Sequence, residues 1–505
     1  MNKIINALIF FTSSPFKMKL FLLKIFIVFV SIPMIGQDYI PENGPKNKNN
    51  NYILLKHATI HVSYDETIEK GDLLIKDGKI INVGSNLITP KNSVIYNLDG
   101  KHVYCSFIDL YSSIGLPSPQ KKASPDYPQY ESSKKGPYYW NEAIHPEYNA
   151  IVDFSFNQKE IKGFLEKGFG LVLSHSQNGI SRGTGFLLAL NNEKNKNIIS
   201  SNAGSFFSFK KGVSNQVYPT SLMGCIALLK QLYYDAEWYE YQKTDVHEDL
   251  SLKAMLRNKT LPQFFATDNY LDVLRASQIA NEFNINYIIK GGGDEYRSVT
   301  EIKSSNVSLV VPINFPKPYD VEDPYDAIKL STTQLIHWKN APKNLAELER
   351  NDIICAITSQ GLKAVDFLKN IRLAVSKGVS KEYIYKALTE TPSQMLNLDK
   401  SIGSLEIGKW ANFIITSDEL FENNGEILEN WVQGEKTIIK SSDHIDVRGK
   451  YNLNTKQDIR TLIVEGEVSK PKAALEYNII TDSISEKGNL VIDEITGKPH
   501  KLTVR

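Results

Sequence analysis

Histidine is the side chain best suited to hold a metal or move a proton near neutral pH, and this chain has nine. They are scattered. His57, His61 and His102 come early, His145, His247 and His337 sit in connecting stretches, and His444 and His500 come late. His175 alone follows a run of strand character, Leu171-Val172-Leu173-Ser174. A single histidine there reads as hydrogen-bonded scaffolding, or as one ligand of an incomplete set. Asp268 and Asp294 also fall near strand ends and could join His175 in a site. Acidic residues at such places commonly cap the helices that follow, and capping is the expectation. In Ser181-Arg182-Gly183-Thr184-Gly185, read as a loop, Arg182 could grip a carboxylate with two parallel N–H donors or merely pin the loop.

Other constellations are weaker. Cys105, Cys225 and Cys355 lie far apart in apolar surroundings, which suits neither a disulfide framework nor a metal cluster, so they read as small core residues. Gly291-Gly292-Gly293 lacks the Lys-Ser/Thr that makes a phosphate loop specific, and reads as a tight turn. The aromatic run Tyr233 to Tyr241 belongs on a helix, as packing or as an interaction surface. A formal net charge of +1 gives no reason to expect nucleic acid or an anionic membrane as partner.

Those residues need elements to position them. From Tyr52 to Tyr104 short apolar runs are split by turns such as Lys76-Asp77-Gly78, the pattern of strands. From about Phe107 to Asn397 strands alternate with amphipathic helices. Asn269 to Phe283 carries Leu271, Leu274, Ile279 and Phe283 near helical spacing, and a strand from Asn286 to Lys290 follows. A helix from Glu295 to Lys303, a strand from Val307 to Ile313 and a strand from Ile353 to Thr358 continue the series. Helices Val365 to Ser376 and Lys381 to Leu396 close it. Strands each followed by a helix imply parallel strands buried on both faces. At this length the expected fold is α/β, a (β/α)8 TIM barrel over 106–400. The strand-rich segments 52–105 and 401–448 are expected to pair into one small composite β-sandwich, with 449–505 a small β-rich extension.

The start of the chain bears on compartment. Met18-Lys19, an apolar run from Leu20 to Val30 broken only by Lys24, and Ile35-Gly36-Gln37 read as a secretory signal peptide over 1–37. Translation could begin at Met18. The run is short of the roughly 20 apolar residues that a membrane span needs, so no stable span is expected after cleavage. Residues 38–51, rich in Pro, Gly, Asn and Lys, form a linker. The expectation is an exported protein, periplasmic or secreted.

Particular residues resemble a known family. Asn97-Leu98-Asp99-Gly100-Lys101, then Phe107-Ile108-Asp109-Leu110-Tyr111-Ser112-Ser113, is similar to the opening of the amidohydrolase superfamily, where Phe-Ile-Asp-x-His-x-His starts the barrel. Thr391-Pro392-Ser393 and the stretch Ile402 to Phe413 (IGSLEIGKWANF) resemble that family's return from barrel to sandwich. The resemblance spans Tyr52 to Lys440 and is nearest the imidazolonepropionase-like branch, in particular the N-terminal half of double-length exported members. It implies hydrolysis of carbon–nitrogen bonds by water activated on zinc or another divalent metal.

The family's ligands do not carry over. Tyr111 and Ser113 stand at the first two histidine positions, and a phenol and an aliphatic hydroxyl are poor substitutes for imidazole. Ala266 and Gly291 stand at the fifth- and sixth-strand histidines, and Gln360 at the eighth-strand aspartate, where an amide cannot act as base. The expectation is therefore no bound cofactor and no confident catalytic residue. Three readings remain open. One is a catalytically dead barrel serving a structural or interaction role, with an active homologue or a second copy as partner. Another is an active hydrolase of amides, cyclic amides or dipeptide-like substrates with atypical ligands. The last is an exported ligand-binding module whose mouth is lined by Tyr111, His175, Arg182, Asp268 and Lys290.

Overall fold

The computed structural model describes Tyr52 to Gly488 apart from residues 122, 124, 192–197, 243–246, 422–424, 441–448, 455–458, 468–469 and 480–481. The expected signal peptide and linker lie outside the described residues, as do 441–448 and 489–505. The chain divides into two units, Met1–Asn50 and Asn51–Arg505, and all that follows concerns the second.

Five strands open it: β1 (Ile53–His61), β2 (Thr67–Lys76), β3 (Lys79–Gly84), β4 (Val94–Asn97) and β5 (His102–Cys105). The sequence suggests two short strands where β1 is one. His57 takes a left-handed φ of 62° and donates its backbone N–H to Asp72 Oδ1 at 3.1 Å, so the register with β2 shifts between Leu55 and Ala58 without ending the strand.

Eight strands follow: β6 (Phe107–Ser112), β7 (Phe169–Ser174), β8 (Ser181–Ala189), β9 (Ile198–Ser208), β10 (Gln263–Ala266), β11 (Tyr287–Lys290), β12 (Ser308–Pro312) and β13 (Cys355–Thr358). They form one sheet in chain order. The ladders β6–β7 and β9 through β13 are parallel, with helices such as Tyr270–Glu282 and Ala364–Ser376 between or after strands. The uniform parallel sheet expected from the βα alternation needs one correction. β8 runs antiparallel to both neighbours, because 175–180 is far shorter than the dozen or so residues that a parallel crossover requires. Ser181 to Gly185, read from sequence as a loop, is the start of this strand.

The edge strands β6 and β13 meet through Asp109. Its fully buried carboxylate accepts from Thr358 Oγ1 at 2.7 Å and from Ser359 N and Oγ at 2.9 Å each, besides Tyr111 N at 3.0 Å. Burial raises its pKa, and these hydrogen bonds work against that rise.

After the α/β region come β14 (Phe413–Thr416), β15 (Ile427–Val432) and β16 (Glu435–Ile438). β14 pairs antiparallel with β5, Phe413 facing Cys105 and Thr416 facing His102, so segments from both ends of the α/β region build one sheet. The strands β17 (Gly449–Asn454), β18 (Ile459–Glu467), β19 (Lys470–Ile479) and β20 (Asp482–Gly488) form a separate antiparallel sheet in chain order.

Two helices are shorter than their periodicity suggests. The run from Glu295 becomes a turn of 3-10 helix, Glu295–Arg297, then Val299–Ser304. The run from Lys381 divides into Lys381–Leu388 and Glu390–Met395, because Thr389 leaves helical geometry at φ −128° and ψ −74°. The three cysteines are all buried thiols. Among the described residues no helix is long and apolar enough to cross a membrane.

Candidate functional site

A strand alternates its side chains between two faces, so one set from each strand of the large sheet gathers along one side. Phe206 on β9 and Phe264 on β10 belong to that set. Their rings stack at 4.9 Å and 10°, and the His175 ring, just beyond β7, stacks on Phe206 at 3.8 Å and 7°. The opposite set on the same strands, Phe207 and Phe265, packs with Tyr287.

Tyr111 on β6 meets this stack edge-on, its ring 4.7 Å from His175 at 63°. Its hydroxyl accepts from Arg182 Nη1 at 3.3 Å, and the Lys290 ammonium lies 5.4 Å from its ring centroid. Four residues singled out from sequence, Tyr111, His175, Arg182 and Lys290, thus form one cluster at the strand ends.

The fifth stands apart. Asp268 is exposed and pairs with Lys210 Nζ at 2.8 and 2.9 Å. The capping expectation also needs correction. Asn269, not Asp268, caps the helix Tyr270–Glu282, accepting from Asp272 N. Asp294 accepts from Tyr270 N at 2.9 Å and so serves the preceding helix rather than the following one.

Charge in the cluster is unusual. Arg182 is 3% exposed, and its hydrogen bonds go to neutral groups, Gly179 O at 3.1 Å and the Tyr111 hydroxyl. Among the described residues no carboxylate pairs with it. Burial, then the neighbouring guanidinium, holds the His175 pKa down to about 3, so the ring is neutral. Its Nδ1 bonds Ser176 O at 2.7 Å, while its Nε2 is buried without a partner. Burial also lowers the Lys290 pKa, with Asp268 and Glu295 opposing and Lys210 and Arg182 adding to the effect. The Lys290 ammonium makes one long contact, 3.5 Å to Thr267 O.

The positions where the family resemblance would put metal ligands can be tested on this geometry. Ser113 is exposed, Ala266 and Gln360 are half-buried, and Gly291 is buried. Gln360 donates its backbone N–H to Thr358 Oγ1 at 3.2 Å. At Gly291 a Cβ would fall 1.9 Å from Glu295 Oε1. Glu295 is itself fully buried, accepting from Gly293 N at 3.0 Å and Asn344 Nδ2 at 2.5 Å. Among the described residues no three His, Cys, Asp or Glu side chains gather in a set that could hold a metal ion. The donors present do not fit a catalytic metal centre.

Sequence reasoning missed Glu295, whose role depends on the turn that folds it back over Gly291 four residues earlier, and it missed Phe206 and Phe264. The doubled aromatics Phe206-Phe207 and Phe264-Phe265 were a usable signal, since one of each pair must face the strand-end site. Gly179-Ile180-Ser181-Arg182-Gly183 also spells the Gly-x-Ser-x-Gly pattern of serine hydrolases. Here Ser181 opens a strand instead of standing on a strand-to-helix elbow, and its buried Oγ has no hydrogen-bond partner and hence no base.

The architecture is a mixed α/β scaffold with a site at the ends of its sheet strands. The amidohydrolase-family model matches residues 337–463. An amidohydrolase from Thermotoga maritima MSB8 superposes with a TM-score of 0.61 at 22% identity, covering 76% of this chain and 99% of that one. A beta-aspartyl dipeptidase from Fervidobacterium islandicum AW-1 covers 81% of this chain and 99% of its own at 14% identity, with a TM-score of 0.42. No curated protein matches the sequence. The C-terminal part of the α/β region thus matches an amidohydrolase-family model, and the fold is similar to that of a solved amidohydrolase.

Proposed function

We propose that this protein is an exported amidohydrolase-superfamily member without metal-dependent catalysis, acting as a binding or interaction scaffold. One observation carries the reading. Where the family resemblance calls for imidazoles and a carboxylate, the strand ends hold Tyr111 bonded to Arg182, and Gly291 filled over by Glu295. Water cannot be activated by a metal whose ligands are a phenol, a hydroxyl, a methyl group, a glycine and an amide.

Three finer features belong to the same reading. The large sheet closes into a barrel, supported by the Asp109 bonds that join β6 to Thr358 and Ser359 at the end of β13. The sheet containing β1 and β14 folds as the composite sandwich beside it. The segment Met18 to Gln37 directs export to the periplasm or outside, so the partner, an active homologue or a second copy, is met there.

The test is the metal content of the purified mature protein by elemental mass spectrometry, after dialysis against buffer containing zinc, manganese and iron. Far less than one equivalent per chain is expected. Near one equivalent, together with hydrolysis of a dipeptide or cyclic amide, would overturn the reading in favour of an active hydrolase with atypical ligands.

A further inference from the structure

The geometry points to the cluster Arg182–Tyr111–Lys290 as a binding site for a small molecule bearing a carboxylate group, held directly by protein cations at the strand ends. This rests on the non-catalytic reading above, because it places an anion where a catalytic member would hold metal cations.

The case begins with an imbalance of charge. A guanidinium cannot shed its proton in a protein and carries five N–H donors. Moving it out of water costs several kcal/mol unless an anion or a full set of acceptors replaces the lost hydration. Arg182 has neither. Its side chain is 3% exposed and its contacts are one carbonyl and one phenol oxygen.

Lys290 adds positive charge beside Arg182, and Asp268 and Glu295 offset the charge of Lys290 only in part. Lys290 approaches the same phenol ring from β11. Lys210 stands close enough to oppose the charge on Lys290, but is itself neutralised by Asp268. The buried carboxyls are engaged elsewhere. Asp109 spends its oxygens on Tyr111 N, Thr358 and Ser359, and Glu295 on Gly293 N and Asn344. An unpartnered polar atom, His175 Nε2, completes the cluster. Burial and Arg182 keep that ring neutral and Nδ1 donates to Ser176 O, so Nε2 is an acceptor, open to an N–H or O–H elsewhere on a ligand and not to its carboxylate.

A carboxylate is the complement this arrangement fits. Its two oxygens match the paired donors of a guanidinium, and charge-assisted bonds of this kind are roughly twice as strong as neutral ones. The second oxygen has an ammonium and a phenol hydroxyl within reach of the same ring. The His175 ring, backed on one face by Phe206, contributes an apolar edge beside the rest of the molecule. The uncharged amide of the same acid has one acceptor and no charge, and leaves the guanidinium uncompensated.

The experiment uses the full mature protein treated with EDTA, with benzoate and benzamide as matched probes, followed by calorimetric titration and by melting temperature. Benzoate is expected to bind and to raise the melting temperature, and benzamide to do neither. Arg182→Gln and, as a second variant should the first fold poorly, Lys290→Met are each expected to weaken benzoate at least tenfold. Lys121→Gln, at an exposed lysine paired with Asp126, serves as the unchanged control. Equal binding of benzoate and benzamide would overturn the proposal, as would no binding of either, or benzoate affinity untouched by both variants. Binding of benzoate only after metal is restored would instead sink the non-catalytic reading, so the two failures are distinguishable.

Discussion

The carboxylate of Glu295 stands where a side chain on Gly291 would begin, with Oε1 1.9 Å from the place a Cβ would take. Gly291 follows β11 directly, and Glu295 starts the short 3-10 turn beyond it. Glu295 is pinned by Gly293 N and Asn344 Nδ2 and cannot swing aside without losing buried hydrogen bonds. Gly291→Ala is therefore expected to destabilise the protein by about 2 kcal/mol, the scale of overpacking in a filled interior. In a Glu295→Ala background the same change should cost much less. Urea unfolding of the four proteins in this cycle measures the coupling, and additive costs would contradict the contact.

Restoring the two leading histidines should not restore chemistry. Tyr111 is buried against His175 and Arg182, whereas Ser113 is exposed. With Ala266, Gly291 and Gln360 unchanged, Tyr111→His with Ser113→His still lacks a ligand set. Elemental mass spectrometry should find metal no higher than in the parent, and dipeptide hydrolysis should stay at the parent's level. Turnover well above the parent would contradict this.

Asp109 ties Tyr111 N on β6 to Thr358 and Ser359 at β13, and Lys167 Nζ reaches Ser359 Oγ at 3.2 Å. Asp109→Ala strands those buried donors and removes the carboxylate that raises the pKa of Lys167 against its burial. The expected loss is about 3 kcal/mol of unfolding free energy. Asp109→Asn keeps an acceptor and should cost less. Denaturant midpoints for the two variants provide the comparison.

Acid sensitivity follows from two histidines. Burial, then His102, holds His61 down to about 4, and burial, then Arg182, holds His175 down to about 3. An unfolded histidine titrates near 6.5, so unfolding between that pH and the folded value takes up protons. Stability is then full above pH 6.5 and declines as pH falls, until each ring is protonated in the folded state as well. His61 accepts from or donates to His102 Nδ1 at 3.2 Å and Thr67 Oγ1 at 3.0 Å, so His61→Asn should flatten the decline above pH 4. Melting temperatures from pH 7.5 to 4 test this. An unchanged slope would show that His61 does not drive it.

The amino-acid sequence by itself determined the class of fold and the residue types at the positions that the family resemblance singles out. Both are local properties. The 3.6-residue periodicity of Leu271, Leu274 and Ile279, the apolar runs at the strands, and the residue types at Tyr111, Ser113, Ala266, Gly291 and Gln360 need no partner to be read. Sequence also singled out Tyr111 through the family motif, Arg182 in a stretch read as a loop, and His175 and Lys290 at expected strand ends.

Tertiary structure alone decided three things. The short connection after His175 turns β8 antiparallel, which brings Arg182 back over Tyr111. Asp268, adjacent in sequence to a predicted site, is drawn out to Lys210, while Asn269 takes the helix cap. Glu295 closes over Gly291, and His175 stacks on Phe206. The Tyr111–Arg182, Lys210–Asp268 and His175–Phe206 contacts join residues distant in the chain, while the Gly291–Glu295 contact and the Asn269 cap depend on the local turn geometry. Their energies come from packing and charge burial, and these are defined only once the strands lie side by side.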